Sequence, residues 1–165
     1  MPGPRNALRL IKHLRIPAGG VLLVRDGDAQ SDQRKKGLEQ ARQHSPLGVV
    51  PVVIGLPVTK RECWILAAFE PADDREQGLI EDVRKELGYD PRRSPERLTA
   101  AKAGATHNAK GILKALGIDP DREADCLRNV TLSWLLERGE GTGLTAFLGE
   151  VRSRFVPVID GIPRP

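Results

Sequence analysis

Val21-Leu22-Leu23-Val24-Arg25-Asp26-Gly27-Asp28 is the stretch whose reading decides the fold. Four consecutive apolar residues without alternation predict a strand covered on both faces, the pattern of parallel sheets. The strand runs into two acids separated by one residue. Strand side chains alternate with period 2, so Asp26 and Asp28 point to the same side. Together they form a hard oxygen site of the kind that Mg2+ or Mn2+ prefers, and Gly27 places no side chain in the way. In open α/β sheets ligands bind beyond the carboxyl ends of the strands, where this acidic pair lies. The same residues also read as an Asp-Gly turn with Asp28 capping the helix that follows.

Working outward, Ala7, Leu8, Leu10, Ile11 and Leu14 recur at helical spacing and stop before Pro17 and Gly19-Gly20. After the acidic pair, residues Ser31 to Gln43 form a polar helix with Leu38 and Ala41 as its apolar contacts. Val49-Val50-Pro51-Val52-Val53-Ile54 is a second strand, and Pro51, lacking an N–H, pushes it or that end of it toward an edge. Strand, helix and strand in succession imply an α/β fold: a small, mostly parallel sheet flanked by helices.

Beyond Pro57 the pattern becomes helical. Helices are expected over 60–69, 75–87, 108–116, 121–128, 131–138 and 143–154, with a last short strand at Val156 to Ile159. Asp119-Pro120 and Ser94-Pro95-Glu96 are helix-start signals, a capping residue followed by proline at the first helical position. The 165 residues therefore read as one domain, 1–165, with a sheet-bearing part at about 5–70 and a helical part at about 71–165.

Lys and Arg exceed Asp and Glu by 26 to 22, which permits an anionic partner without requiring one. Cys63 and Cys126 are too few for a disulfide scaffold or a zinc cluster, so the default setting is reducing and cytoplasmic. The first residues lack the apolar core of a signal peptide, and no apolar run approaches the roughly 18 residues that span a bilayer, so no membrane partner is expected.

A third acid, Glu62, stands at the head of the apolar segment Cys63-Trp64-Ile65-Leu66-Ala67-Ala68-Phe69. It could join the first two acids, or it could close a capping box with Thr59. Trp64, Ile65, Leu66 and Phe69 read as core rather than as a stacking platform for bases, and Cys63 as an inert buried thiol. Arg34-Lys35-Lys36, Arg92-Arg93, Lys102 and Lys110 could line a path for a nucleic-acid backbone, or could be solvated helix faces. His107 suits general acid–base work by its titration range, yet a lone histidine at a helix start is also an ordinary surface residue. Asn129, Thr131 and Trp134 read as a helix start and its buried face. Gly139 to Gly143 lacks the Gly-Lys-Ser/Thr ending of a phosphate loop and reads as an interhelix turn.

Three stretches together resemble small TOPRIM-like proteins related to overcoming-lysogenization-defect nucleases of bacterial defence and mobile-element loci. Val21 to Asp28 is similar to the TOPRIM strand ending in Asp-x-Asp; Arg61-Glu62-Cys63-Trp64-Ile65-Leu66-Ala67-Ala68 is similar to that group's Glu-Ala-Trp-Leu-Leu-Ala-Asp segment; Thr106-His107-Asn108-Ala109-Lys110 resembles its lysine-bearing helix. The resemblance implies a metal-dependent nuclease or nuclease-like subunit acting on DNA or RNA phosphodiesters. Asp26, Asp28 and Glu62 would hold Mg2+ or Mn2+, and Lys110 would stabilise charge on the phosphate. The chain departs from the family in opening at the helix of Arg5 to Leu14, without the preceding strand and its glutamate, and in carrying Ala68-Phe69 where the family has Ala-Asp. A truncated domain, a partner protein or second copy that supplies the strand, or a site that has lost activity would each account for this.

Two other functions compete. A catalytically degenerate TOPRIM-like module would bind a partner protein or nucleic acid without cleaving. A haloacid-dehalogenase-type phosphatase would use Asp26 as nucleophile and Asp28 as acid/base, but its paired acids should follow its lysine, whereas Asp73-Asp74 precedes Lys102 and Lys110.

Overall fold

The computed structural model describes residues 3–13, 18–27 and 30–161. It is an α/β fold with a two-stranded parallel sheet and a predominantly helical C-terminal half. The chain forms two compact units, one of residues 1–56 with 146–165 and the other of residues 57–145.

The first unit carries the sheet. Strand β1, Val21–Val24, pairs in parallel with β2, Val52–Gly55, in the register Val21 with Val52 and Val24 with Gly55. The Val21 N–H donates to the Pro51 carbonyl at 2.8 Å and the Arg25 N–H to the Gly55 carbonyl at 3.0 Å. Odd-numbered backbone groups of both strands therefore face each other, and even-numbered ones point outward. Pro51 precedes the strand and contributes only its carbonyl to the ladder. Its missing N–H breaks no rung, and β2 starts at Val52 rather than at Val49, which is 86% exposed.

Helices α1, Pro4–Ile11, and α2, Ser31–Gln43, close the first unit. Leu8 of α1 and Ala41 of α2 bury themselves against Val21 and Val52, with Leu23 and Ile11 partly covered beside them. Leu14 and Pro17, expected at the end of the first helix, lie outside the described residues. All four residues of β2 are buried, as a parallel strand requires. β1 corrects the expectation of a strand covered on both faces: Leu22 is 51% and Val24 49% exposed. With only one strand beside it among the described residues, β1 has an open face and an open edge.

The second unit is built on α3, Arg61–Ala68, in which every residue from Cys63 to Ala68 is buried. A helix apolar on all sides must be surrounded. Ile80 and Val83 of α4, Asp74–Leu87, and Ile112 and Leu113 of α5, Ala109–Ala115, pack on it together with Cys126 of α6, Pro120–Asn129. Trp64 and Phe69 are core, as expected, and the buried Trp64 donates its indole N–H to the Thr142 carbonyl at 2.9 Å. Asp119 caps α6, accepting the Arg122 N–H at 2.8 Å ahead of Pro120. Ser94, by contrast, makes no capping bond to the short 3-10 turn Pro95–Arg97.

Thr131 caps α7, Leu132–Arg138, but Trp134 stands 40% exposed beneath the Arg138 guanidinium rather than in the core. Residues Glu140–Thr142 form the expected interhelix turn, and Gly143 adopts φ +82°, a conformation that favours glycine. Helix α8, Leu144–Glu150, continues through a π turn, Val151–Phe155, into α9, Val156–Ile159. The last element is thus helix and not the expected strand. It prolongs a helix already nucleated, and Pro157, which has no N–H to give to a helical bond, stands just after the π turn.

Candidate functional site

Asp26 follows β1 directly, after the last rung at Arg25. Its residue is half-buried, Gly27 is buried, and the Gln30 N–H donates to the Gly27 carbonyl at 3.3 Å. Arg34, one turn into α2, donates through Nη1 to the Asp26 carbonyl. The acidic strand end is therefore tied to the helix that follows it, the βα junction at which α/β sheets present ligand groups. Asp28, the second acid of the pair, lies outside the described residues.

The other two candidates belong to the second unit, where a groove of about 810 Å3 brings them together. Glu62 stands in the first turn of α3 and Lys110 in the first turn of α5. Of the two alternatives for Glu62, the capping box with Thr59 is not formed: Lys60 is the N-cap and no side chain bonds there, while Thr59 Oγ1 lies 3.2 Å from Cys63 Sγ. Glu62 instead lines the groove. Arg61 beside it is engaged by Glu123 at 3.0 and 3.3 Å.

Asn108 sets where Lys110 stands. It is 5% exposed, its Oδ1 accepts the Gly111 N–H at 2.9 Å as the cap of α5, and its Nδ2 donates to the Ala100 carbonyl at 2.9 Å. Lys60 Nζ donates to the same carbonyl at 3.1 Å, and the Ala100 N–H bonds the His107 carbonyl at 3.0 Å. The loop between is thereby pinned at its base, and α5 starts where Lys110 and Lys114, one turn apart, both line the groove. Asn108 and Lys114 are the site residues that sequence reasoning did not single out. An asparagine two residues before a lysine and a second lysine four residues on are the available signals.

Arg92, Arg93, His107 and Cys63 resolve into structural contacts. Arg92 is bound to Asp90 at 2.9 Å and Glu70 at 3.4 Å, and Arg93 to Glu137 at 3.1 Å, so neither side chain is a bare cation for a phosphate. Burial pushes the Asp90 carboxyl up, but the Arg92 hydrogen bonds outweigh it and leave it below the usual range. His107 is exposed and stacks on Tyr89, ring centroids 6.2 Å apart, with the Arg97 guanidinium 3.8 Å from the Tyr89 ring centre. Cys63 is fully buried, and desolvation raises its thiol above the ordinary value, which makes it the inert thiol expected.

Among the described residues, no three His, Cys, Asp or Glu side chains lie close enough together to hold a metal ion. Asp26 supplies the right donor chemistry for a hard cation, but a single described carboxylate does not make a closed site. No helix among the described residues is long and apolar enough to cross a membrane. The chain matches no known family model, no curated protein and no solved structure.

Proposed function

We propose that this chain is a TOPRIM-like, Mg2+- or Mn2+-dependent nuclease or nuclease-like subunit that acts on nucleic-acid phosphodiesters in the cytoplasm. The observation that carries this reading is the position of Asp26, immediately beyond a parallel strand and at a βα junction. It joins the resemblance of the Asp-Gly-Asp, Glu62 and Lys110 stretches to TOPRIM-like nucleases. In this reading Asp26 and Asp28 would hold the metal ion. The ion, when bound, supplies an activated water and neutralises phosphate charge. Lys110, exposed in its groove, offers a point charge to a phosphate oxygen. A partner protein or second copy completes the sheet.

A second reading is favoured by the lack of a three-ligand cluster among the described residues. Here the chain is a degenerate TOPRIM-like module that binds nucleic acid or a partner and leaves cleavage to another protein. Incubation with DNA and RNA plus Mg2+ or Mn2+, beside Asp26→Ala and Asp28→Ala variants, separates the two. The nuclease reading expects metal-dependent cleavage that both variants abolish. Cleavage surviving in both would defeat the site assignment, and metal-independent binding without cleavage would favour the module.

A further inference from the structure

The backbone of β1 has one edge that nothing in the described structure uses. Its odd-numbered groups bond β2, so the N–H and C=O of Leu22 and Val24 point the other way. No described group hydrogen-bonds them. The next outward carbonyl, that of Asp26, is already taken by Arg34, which limits the open edge to the apolar residues. Their side chains, half exposed, share one face of the strand. The devices that ordinarily protect an edge, an inward charge, a proline or a bulge, are absent from Val-Leu-Leu-Val. β2 differs: its outer edge is occupied where the Ile54 N–H meets the Glu150 carboxylate.

We infer that β1 is a strand-pairing surface whose occupant is β1 of a second copy of this chain, running antiparallel. Only an extended strand presents donors and acceptors at the spacing that the Leu22 and Val24 groups require. The sequence suits itself as that strand. With the two-fold axis at Leu23, Leu22 of one copy faces Val24 of the other and the two exchange both backbone hydrogen bonds. Arg25 then faces Val21 and Asp26 faces Gly20, so no charge meets a like charge. The four exposed apolar side chains cover one another. This pairing gives a specific form to the second copy invoked in the proposed function, but it is argued from the strand edge alone, and its failure would leave the cleavage test of that reading untouched.

The short edge makes the dimer weak, so sedimentation or light scattering across a wide concentration series is the measurement. The wild-type chain should pass from monomer to dimer as concentration rises. In Leu22→Lys/Val24→Lys, lysines face lysines, and association should weaken about tenfold or more with unchanged circular dichroism. Leu23→Cys provides an independent reading. The residue lies on the axis as a pair without hydrogen bonds, close enough to form a disulfide with its own copy on mild oxidation, while Cys63 and Cys126 are buried. Leu22→Cys, off the axis, should not cross-link. A wild-type chain that stays monomeric, a dimer indifferent to the two lysines, or Leu23→Cys failing to cross-link would each overturn the inference. None of these results depends on nuclease activity.

Discussion

Glu150 accepts the Ile54 backbone N–H at 2.9 Å, so a residue near the C-terminal end of the chain closes the outer edge of β2. The same carboxylate receives Arg42 Nη1 from α2 at 2.6 and 2.7 Å. One side chain thus satisfies a strand amide on the edge of β2 where no strand lies among the described residues, and ties α8 to α2. Both charged side chains are less than one-third exposed.

Glu150→Ala leaves the Ile54 amide and the Arg42 guanidinium without this partner. The expected loss is about 2–4 kcal/mol of unfolding free energy, read by urea denaturation. Glu150→Gln, which can still accept the amide hydrogen, should lose less. Equal losses for the two variants would show that the Ile54 contact contributes nothing.

The buried cap at Asn108 leads to a second expectation. Asn108→Ala removes the α5 cap and one of the donors to the Ala100 carbonyl. It should cost about 1–2 kcal/mol. Hydrogen exchange should quicken first at the Gly111 amide. Asn108→Asp keeps the cap acceptor and should restore protection at Gly111 without restoring the donor to Ala100.

Acid pH gives a third expectation. The hydrogen bonds from Arg122, at 2.7 and 2.8 Å, hold the Glu76 carboxyl below its ordinary value of 4.5. A depressed acid adds stability that is fully present above its unfolded value and is lost as pH falls through the folded one. The wild type should therefore lose stability below about pH 4.5, and Glu76→Gln should flatten that part of the curve. At neutral pH the variant should be less stable by about 1–3 kcal/mol. The two curves should converge at low pH, where both side chains are neutral. A constant gap from pH 7 to pH 3 would count against the assignment.

Lys110 and Lys114 offer the fourth. If their groove takes a nucleic-acid backbone, Lys110→Ala/Lys114→Ala should weaken binding about equally across sequences. The dependence of log affinity on log salt should flatten by roughly 1–2. Binding measured by fluorescence anisotropy over a salt series reads both. An unchanged slope would remove the groove from the interface.

Several elements along the chain follow from local pattern alone. Apolar runs and capping residues act locally, so β1, α2, the core of α3 and the Asp119 cap were all legible before any contact was known. What misled was context. Val21 to Val24 reads as strand wherever it lies, but burial of both faces depends on neighbours, and the described structure sets only one strand beside it. Val156 to Ile159 has strand composition, yet it follows a helix already under way, and continuing a helix costs less than starting a strand with nothing to pair with.

For the site the division is similar. Asp26 at a strand end, Glu62 at a helix head and Lys110 near a helix start follow from local pattern. That Glu62 and Lys110 share a groove, that Arg92 and Arg93 are engaged by acids, and that Asn108 fixes the start of α5 are matters of tertiary contact. The sequence by itself determined the α/β class, the acidic strand end and the apolar central helix, because period and capping are properties of neighbouring residues. Only the tertiary structure decided which acids and bases meet, and which edge of the sheet stays open, because those depend on side chains from distant segments such as Glu150 reaching Ile54.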